Sequence, residues 1–220
     1  MNDFLIMKLL HVVGFAYWLG GDLGVFYSSF FVANDKLSTN VRVTTAKILF
    51  ALDQAPRICM TMMLPLGIHL TWQMGIFRFS ATTMTLIWLA AFAWLGMVVT
   101  LHVAAQSKGK AMLTVFDFWF RLLLSSGLII VGALAQFSDL LMMPHWVAIK
   151  LMIFGGLIGC GLFVRIRLRP FGPAFANMAR GEASDADNAA IRKSLGGTKP
   201  FVISIWIGLV ASTALGLHLI

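Results

Sequence analysis

Six stretches of this chain are each apolar and long enough to cross a lipid bilayer, and that feature restricts the fold to a membrane helix bundle. A helix rises about 1.5 Å per residue and the hydrocarbon core is about 30 Å thick, so about 20 apolar residues make one crossing. The spans fall at residues 4–32, 58–77, 82–105, 117–138, 146–166 and 201–220. The chain is 59% hydrophobic and 12% charged, whereas a soluble domain carries about 25% charged residues. Too little polar surface remains to coat a globule. The expected fold is therefore all-α, a polytopic integral membrane bundle of about six transmembrane helices forming one domain over 1–220. Phe4–Val32 reads as a retained span rather than a signal peptide, because it lacks a basic leader and a small-residue cleavage site and runs too long.

The net charge of +8 is distributed unevenly. Ala33–Arg57 holds Lys36, Arg42, Lys47 and Arg57, and Gln106–Arg121 holds Lys108, Lys110 and Arg121. Arg165–Lys199 holds seven more, so only Lys8, Arg78 and Lys150 of the 17 Lys and Arg fall on the other side. The positive-inside rule makes the basic connections cytoplasmic and places both termini on the outer side of a bacterial-type inner (plasma) membrane. Basicity here is a topology signal, so the expected partner is the lipid bilayer and not nucleic acid.

The connections carry some structure. In Asn40–Gln54, Val41, Ile48, Leu49 and Leu52 form one apolar face, as in a helix lying in the headgroup plane. Residues 171–199 form a cytoplasmic connection, in which Ser184-x-x-Asp187 is a capping box and Gly196-Gly197 a stop, predicting a short helix over 185–195. Ala16, Gly20, Gly24 and Ser28 recur every fourth residue, as do Gly208, Ser212 and Gly216, and Gly155 with Gly159. Such stripes let helix backbones approach closely in lipid. Cys59 and Cys160 sit in apolar segments without a CxxC pairing and read as small buried hydrophobes.

Ionisable groups inside a span cost about 2.5–3.5 kcal/mol on insertion scales and therefore face partners or function. His11 lies about 10 Å inside the first span and His69 about 12 Å inside the second, counted at the helical rise. Equal depth near the outer face suits two axial imidazoles on a b-type haem, while packing histidines would serve the bundle alone. His218 is the rival second ligand, and His102 reads as structural or interfacial. Asp22 follows His11 by three turns plus roughly 20°, which places His11, Trp18 and Asp22 on one helix face. Asp22 is read either as a proton-path residue or as a helix cap beside Gly20-Gly21. Met142, Met143 and His145 form a soft donor set suited to Cu(I), set against chance clustering among thirteen methionines. Met60, Met62 and Met63 read as packing, and Lys150 as a snorkelling residue or the partner of a propionate or lipid headgroup. No Walker loop, HExxH or GxSxG occurs, and the connections are too short for a nucleotide domain.

Met7-Lys8-Leu9-Leu10-His11-Val12-Val13, followed by Trp18-Leu19-Gly20-Gly21, resembles the opening helix of the copper resistance D (CopD) and HemJ-type membrane proteins. Arg57 with Pro65 and Gly67, and Trp146 with Lys150, are compatible with that pattern. The HemJ-type resemblance implies haem b with His11 as axial ligand, Lys150 as a pocket residue and protoporphyrinogen oxidation. That type has four spans, and its Arg-Phe-Asn-Glu-x-Pro stretch is missing here. The CopD resemblance implies copper passage with His11, His69 and Met142–His145 as entry ligands. The leading expectation is a haem-binding electron-transfer protein or oxidoreductase, with iron held by His11 and His69, Trp18 and Lys150 lining the pocket, and a quinone or redox subunit as partner. Copper transport is the alternative.

Overall fold

The computed structural model describes residues 2–103, 109–138 and 142–219. Lys108, the start of the Leu140–His145 segment and the span ends at 105 and 220 lie outside the described residues. Those residues form eight helices: α1 (Asn2–Ala33), α2 (Thr39–Leu52), α3 (Gln54–Gln73), α4 (Ala81–Val103), α5 (Lys110–Phe137), α6 (His145–Arg167), α7 (Phe171–Ala179) and α8 (Asp185–Gly216). Five of them, α1, α4, α5, α6 and α8, are long and apolar enough to cross a membrane, and α3 is not among these.

Six helices close a ring in the order α1, α3, α4, α5, α6, α8 and back to α1. Neighbours run antiparallel where close contacts fix the register. On α1, Gly14 faces Met63 and Gly21 faces Pro56 of α3, while on α8 Gly208 faces Leu157 of α6. Antiparallel order gathers the three basic connections at one end of the ring. Inside it, Trp18, Met60, Met63, Trp94, Leu157, Ile158 and Leu209 form the main core. Outside it, Leu9, Tyr17, Leu86, Leu89, Leu123, Ile130 and Ile207 are each more than half exposed. Water would not tolerate that continuous apolar girdle, whereas acyl chains would.

At 32 residues each, α1 and α8 are about 48 Å long at the helical rise, well beyond the hydrocarbon thickness. Their excess lies at the basic end, where it packs with α2 and α7 around a second core of Val32, Ala46, Leu49, Phe171, Met178 and Ile191.

Three expectations need correction here. Gly196-Gly197 does not stop a helix: α8 runs unbroken through both glycines and Pro200. Gly197 lies against the Arg167 stem, so packing against α6 overrides the local preference. Second, α2 does not lie flat as an isolated headgroup helix. Arg42 donates to the Val32 carbonyl and Leu52 reaches Gly24, so α2 runs antiparallel along the end of α1. Leu49 and Leu52 face the protein while Val41 and Ile48 point outward. Third, the helix that carries the fourth span starts earlier than residue 117: α5 begins at Lys110 and carries Asp117 and Arg121 into the bundle. The Ser184–Asp187 capping box forms as read, each residue's side chain accepting from the other's backbone N–H.

Close backbone approach holds the α5–α6 pair. A methyl group at Gly132 would come within 2.6 Å of the Ala148 carbonyl oxygen, and one at Gly155 within 2.7 Å of the Ser125 carbonyl. Gly155 also offers its own carbonyl to the Ser125 hydroxyl at 2.7 Å. Gly161 faces open space. Leucine at 132 or 155 is expected to cost about 1–3 kcal/mol of stability through overpacking, read as a lowered unfolding temperature in detergent. Gly161→Leu is expected to leave that temperature unchanged or raised.

Candidate functional site

The buried polar groups fall into two levels along the ring. At the end away from the basic connections, His11 projects from α1 onto α3, its Cε1 lying 3.5 Å from where a Gly67 Cβ would be. Gly67 therefore makes the space that the imidazole fills. His11 Nδ1 is buried and has no hydrogen-bond partner. Lys150 of α6 is near enough for its charge to act on the ring. Its ammonium lies 5.3 Å from the Trp146 ring centroid and packs against Gly216 of α8.

His69 is not in that group. It lies two residues beyond Gly67, about 200° further round α3, and there it meets α4. The Trp88 indole N–H donates to His69 Nδ1 at 3.0 Å, which leaves the ring proton on Nε2. A histidine that binds a metal through Nε2 keeps its proton on Nδ1 and donates it to a carbonyl or carboxylate. His11 is directed at Gly67 and His69 at Trp88, so the described contacts do not bring the two imidazoles together. His218, the rival second ligand, packs its ring edge-on against Trp146 with centroids 5.4 Å apart. A cavity of about 370 Å³ opens at this end between α1 and α3, lined by Asp3, Phe4, Trp72 and Gln73 and by neither histidine.

The copper set is also apart. Met142 is 99% exposed, and His145 Nδ1 pairs with Gln136 Oε1 at 3.1 Å. Among the described residues no three His, Cys, Asp or Glu side chains form a metal cluster. His102 is exposed in the last turn of α4.

Trp18 and Asp22 occupy the next levels of the α1 face that carries His11. Trp18 is a core ring, 3% exposed and edge-on to Phe154 of α6. It interacts with the Asp22 carboxylate one turn later. The second oxygen of Asp22 is buried and without a partner, in a setting that also holds Cys59 and Asp53. Asp53 in turn accepts from Arg57 at 2.7 Å. The cysteines are both unbridged.

The strongest polar group in the bundle was not singled out from the sequence. Asp117 has no exposed surface. It accepts from Arg121 Nε at 2.9 and 3.0 Å and from Arg165 Nη2 at 2.7 Å. The Arg121 guanidinium lies 5.6 Å from the Trp94 ring centroid and 3.4 Å from Met60 Sδ. One carboxylate thereby ties α5 to α6, and its arginine ties α5 to α3 and α4. Asp117-x-x-x-Arg121 is the (i, i+4) spacing at which side chains meet on a helix, so the signal was present at the edge of the fourth span.

Removing the carboxylate leaves the buried Arg121 guanidinium and the part-buried Arg165 guanidinium without their counter-ion, and about 3–5 kcal/mol is the usual loss when a buried pair is broken. Asp117→Asn is expected to lower stability by that amount in detergent unfolding. Arg180→Gln, which breaks an exposed pair with Glu182, is expected to change it by less than about 1 kcal/mol.

Compared with protein families, curated proteins and solved structures, the chain matches none.

Proposed function

We propose that this chain is a six-crossing protein of a bacterial-type plasma membrane, with its basic end cytoplasmic, that handles protons along the inner face of α1. The sixth crossing is α3, which lies in the ring between α1 and α4. The observation that carries the reading is a pair of buried atoms without partners, His11 Nδ1 and Asp22 Oδ2. Both lie on one stripe of one membrane helix. A histidine or aspartate kept in a bundle for packing alone would have its polar atoms satisfied by neighbouring helices. Two that are left open on the same stripe suit exchange of protons with water.

The eleven helical steps from His11 to Asp22 correspond to about 16 Å of helix, too far for direct transfer. Water must therefore bridge the gap, and the buried Trp18 ring between them sets where it can pass. Lys150 at one end and the Asp53–Arg57 pair at the other are the charged groups nearest the two exits.

A second reading retains part of the redox expectation. His11, with its open nitrogen and the Lys150 cation beside it, suits one imidazole ligand and one anion partner for a b-type haem or another redox group. Haem, if bound, would supply electron transfer. A reduced-minus-oxidised spectrum that shows a b-type band, lost in His11→Ala and kept in His69→Ala, would favour this reading over the proton relay.

The relay is tested in sealed proteoliposomes that enclose a pH-sensitive dye. An external acid step is expected to reach the lumen at least several-fold more slowly with Asp22→Asn or His11→Phe than with the unaltered protein. His102→Ala is expected to change nothing. Equal rates for all four proteins would overturn the relay.

A further inference from the structure

We propose that the groove between the end of α1 and the first half of α8 is a binding site for the phosphate of an anionic phospholipid, held by Arg192 and Lys199. A cavity of about 250 Å³ lies there, with Phe30 and Ala33 of α1 on one side and Arg192, Leu195 and Lys199 of α8 on the other. Ser29 and Asn34 add small polar groups to its lining. Gly196 leaves that part of the α8 surface open, since a Cβ there would meet nothing within 4 Å.

The charge balance favours an anion. Arg192 pairs with Asp35, and the Lys199 ammonium lies 4.3 Å from the Phe30 ring centroid, paired with no carboxylate among the described residues. A third cation, Arg42, stands close enough for its charge to act with those of Asp35 and Arg192. It is 4% exposed and spends Nε on the Val32 carbonyl and Nη1 on Asn188 Oδ1. Its Nη2 is buried without a partner. Arg42 and Arg192 thus share the Asp35 carboxylate, and Lys199 has none among the described residues.

The arrangement along α8 distinguishes an amphiphile from a free ion. Arg192, Gly196, Lys199, Ile203, Ile207 and Val210 follow one another at intervals of three or four residues, so they share one face of the helix. The cations stand at the projecting end of that face. Ile203 is 43% exposed, Ile207 65% and Val210 55%, and they continue it into the apolar girdle. A headgroup phosphate on Lys199 would lay its acyl chain over those three side chains. Basic pockets between membrane helices on the cytoplasmic side are suited to such lipids.

The test is native mass spectrometry of the full chain in detergent. It is titrated with phosphatidylglycerol, with phosphatidylcholine of the same acyl chains, and with inorganic phosphate. Phosphatidylglycerol is expected to bind at least several-fold more tightly than phosphatidylcholine, with no competition from millimolar phosphate. Lys199→Gln is expected to weaken it roughly fivefold, as the loss of one interfacial cation implies. Lys47→Gln serves as the control and is expected to have no effect. Circular dichroism and phosphatidylcholine binding report whether each variant is folded. Equal binding of the two lipids by folded protein would overturn the proposal. So would displacement of the lipid by inorganic phosphate, or an equal effect of the two lysine variants.

Discussion

In hydrocarbon, bringing two apolar helices together removes no water, so this bundle cannot be held by the force that holds a soluble core. Its contacts are of the kinds that remain effective there. Gly132 and Gly155 let α5 and α6 approach to backbone contact, and Gly14 and Gly21 make room on α1 for the Met63 and Pro56 side chains of α3. Buried charge also ties the helices. The Asp117 carboxylate joins α5 to α6, and Arg121 reaches Met60 on α3 and Trp94 on α4. The strength of such a group comes from the cost of leaving either partner alone in an apolar medium.

The same constraint explains the two halves of the molecule. Within the hydrocarbon thickness, many large side chains turn outward and α1 buries little of its surface. Beyond it, at the basic end, water returns and so does ordinary hydrophobic packing. There the projecting ends of α1 and α8 join α2 and α7 in a compact core that includes Phe171, Met178 and Ile191. The Ser184–Asp187 capping box sits on this aqueous side, where a helix start with open N–H groups is tolerated. The α1–α8 groove lies at the boundary between the two regimes, with cations above and apolar side chains below.

Much of this was legible in the sequence because membrane crossing depends on length and apolarity, which composition reports directly. The extents of α1, α4 and α6 and the gathering of basic residues at one end follow from those alone. What was not legible depends on rotation and on tertiary contact. Equal depth drew attention to His11 and His69, but depth does not give facing: Gly67, two residues from His69, turned out to be the site that receives His11. Gly196-Gly197 read as a stop because local propensity favours one, and packing against Arg167 reversed it. The helix α7 was missed, although Phe171, Ala174, Phe175 and Met178 carry the helical spacing. Asp117 was missed because its charge lies at the end of an apolar run, where a loop residue is also expected.

The proposed relay requires water to reach the open polar atoms on the inner face of α1. In a chain with Cys59 and Cys160 replaced by alanine, single cysteines can be placed at residues 9, 11, 22 and 23 and exposed to a small water-borne thiol reagent in intact membranes. Labelling at 11 and 22 well above that at the lipid-facing positions 9 and 23 is the predicted result. Inert cysteines at 11 and 22, in a protein that still folds and inserts, would contradict the account.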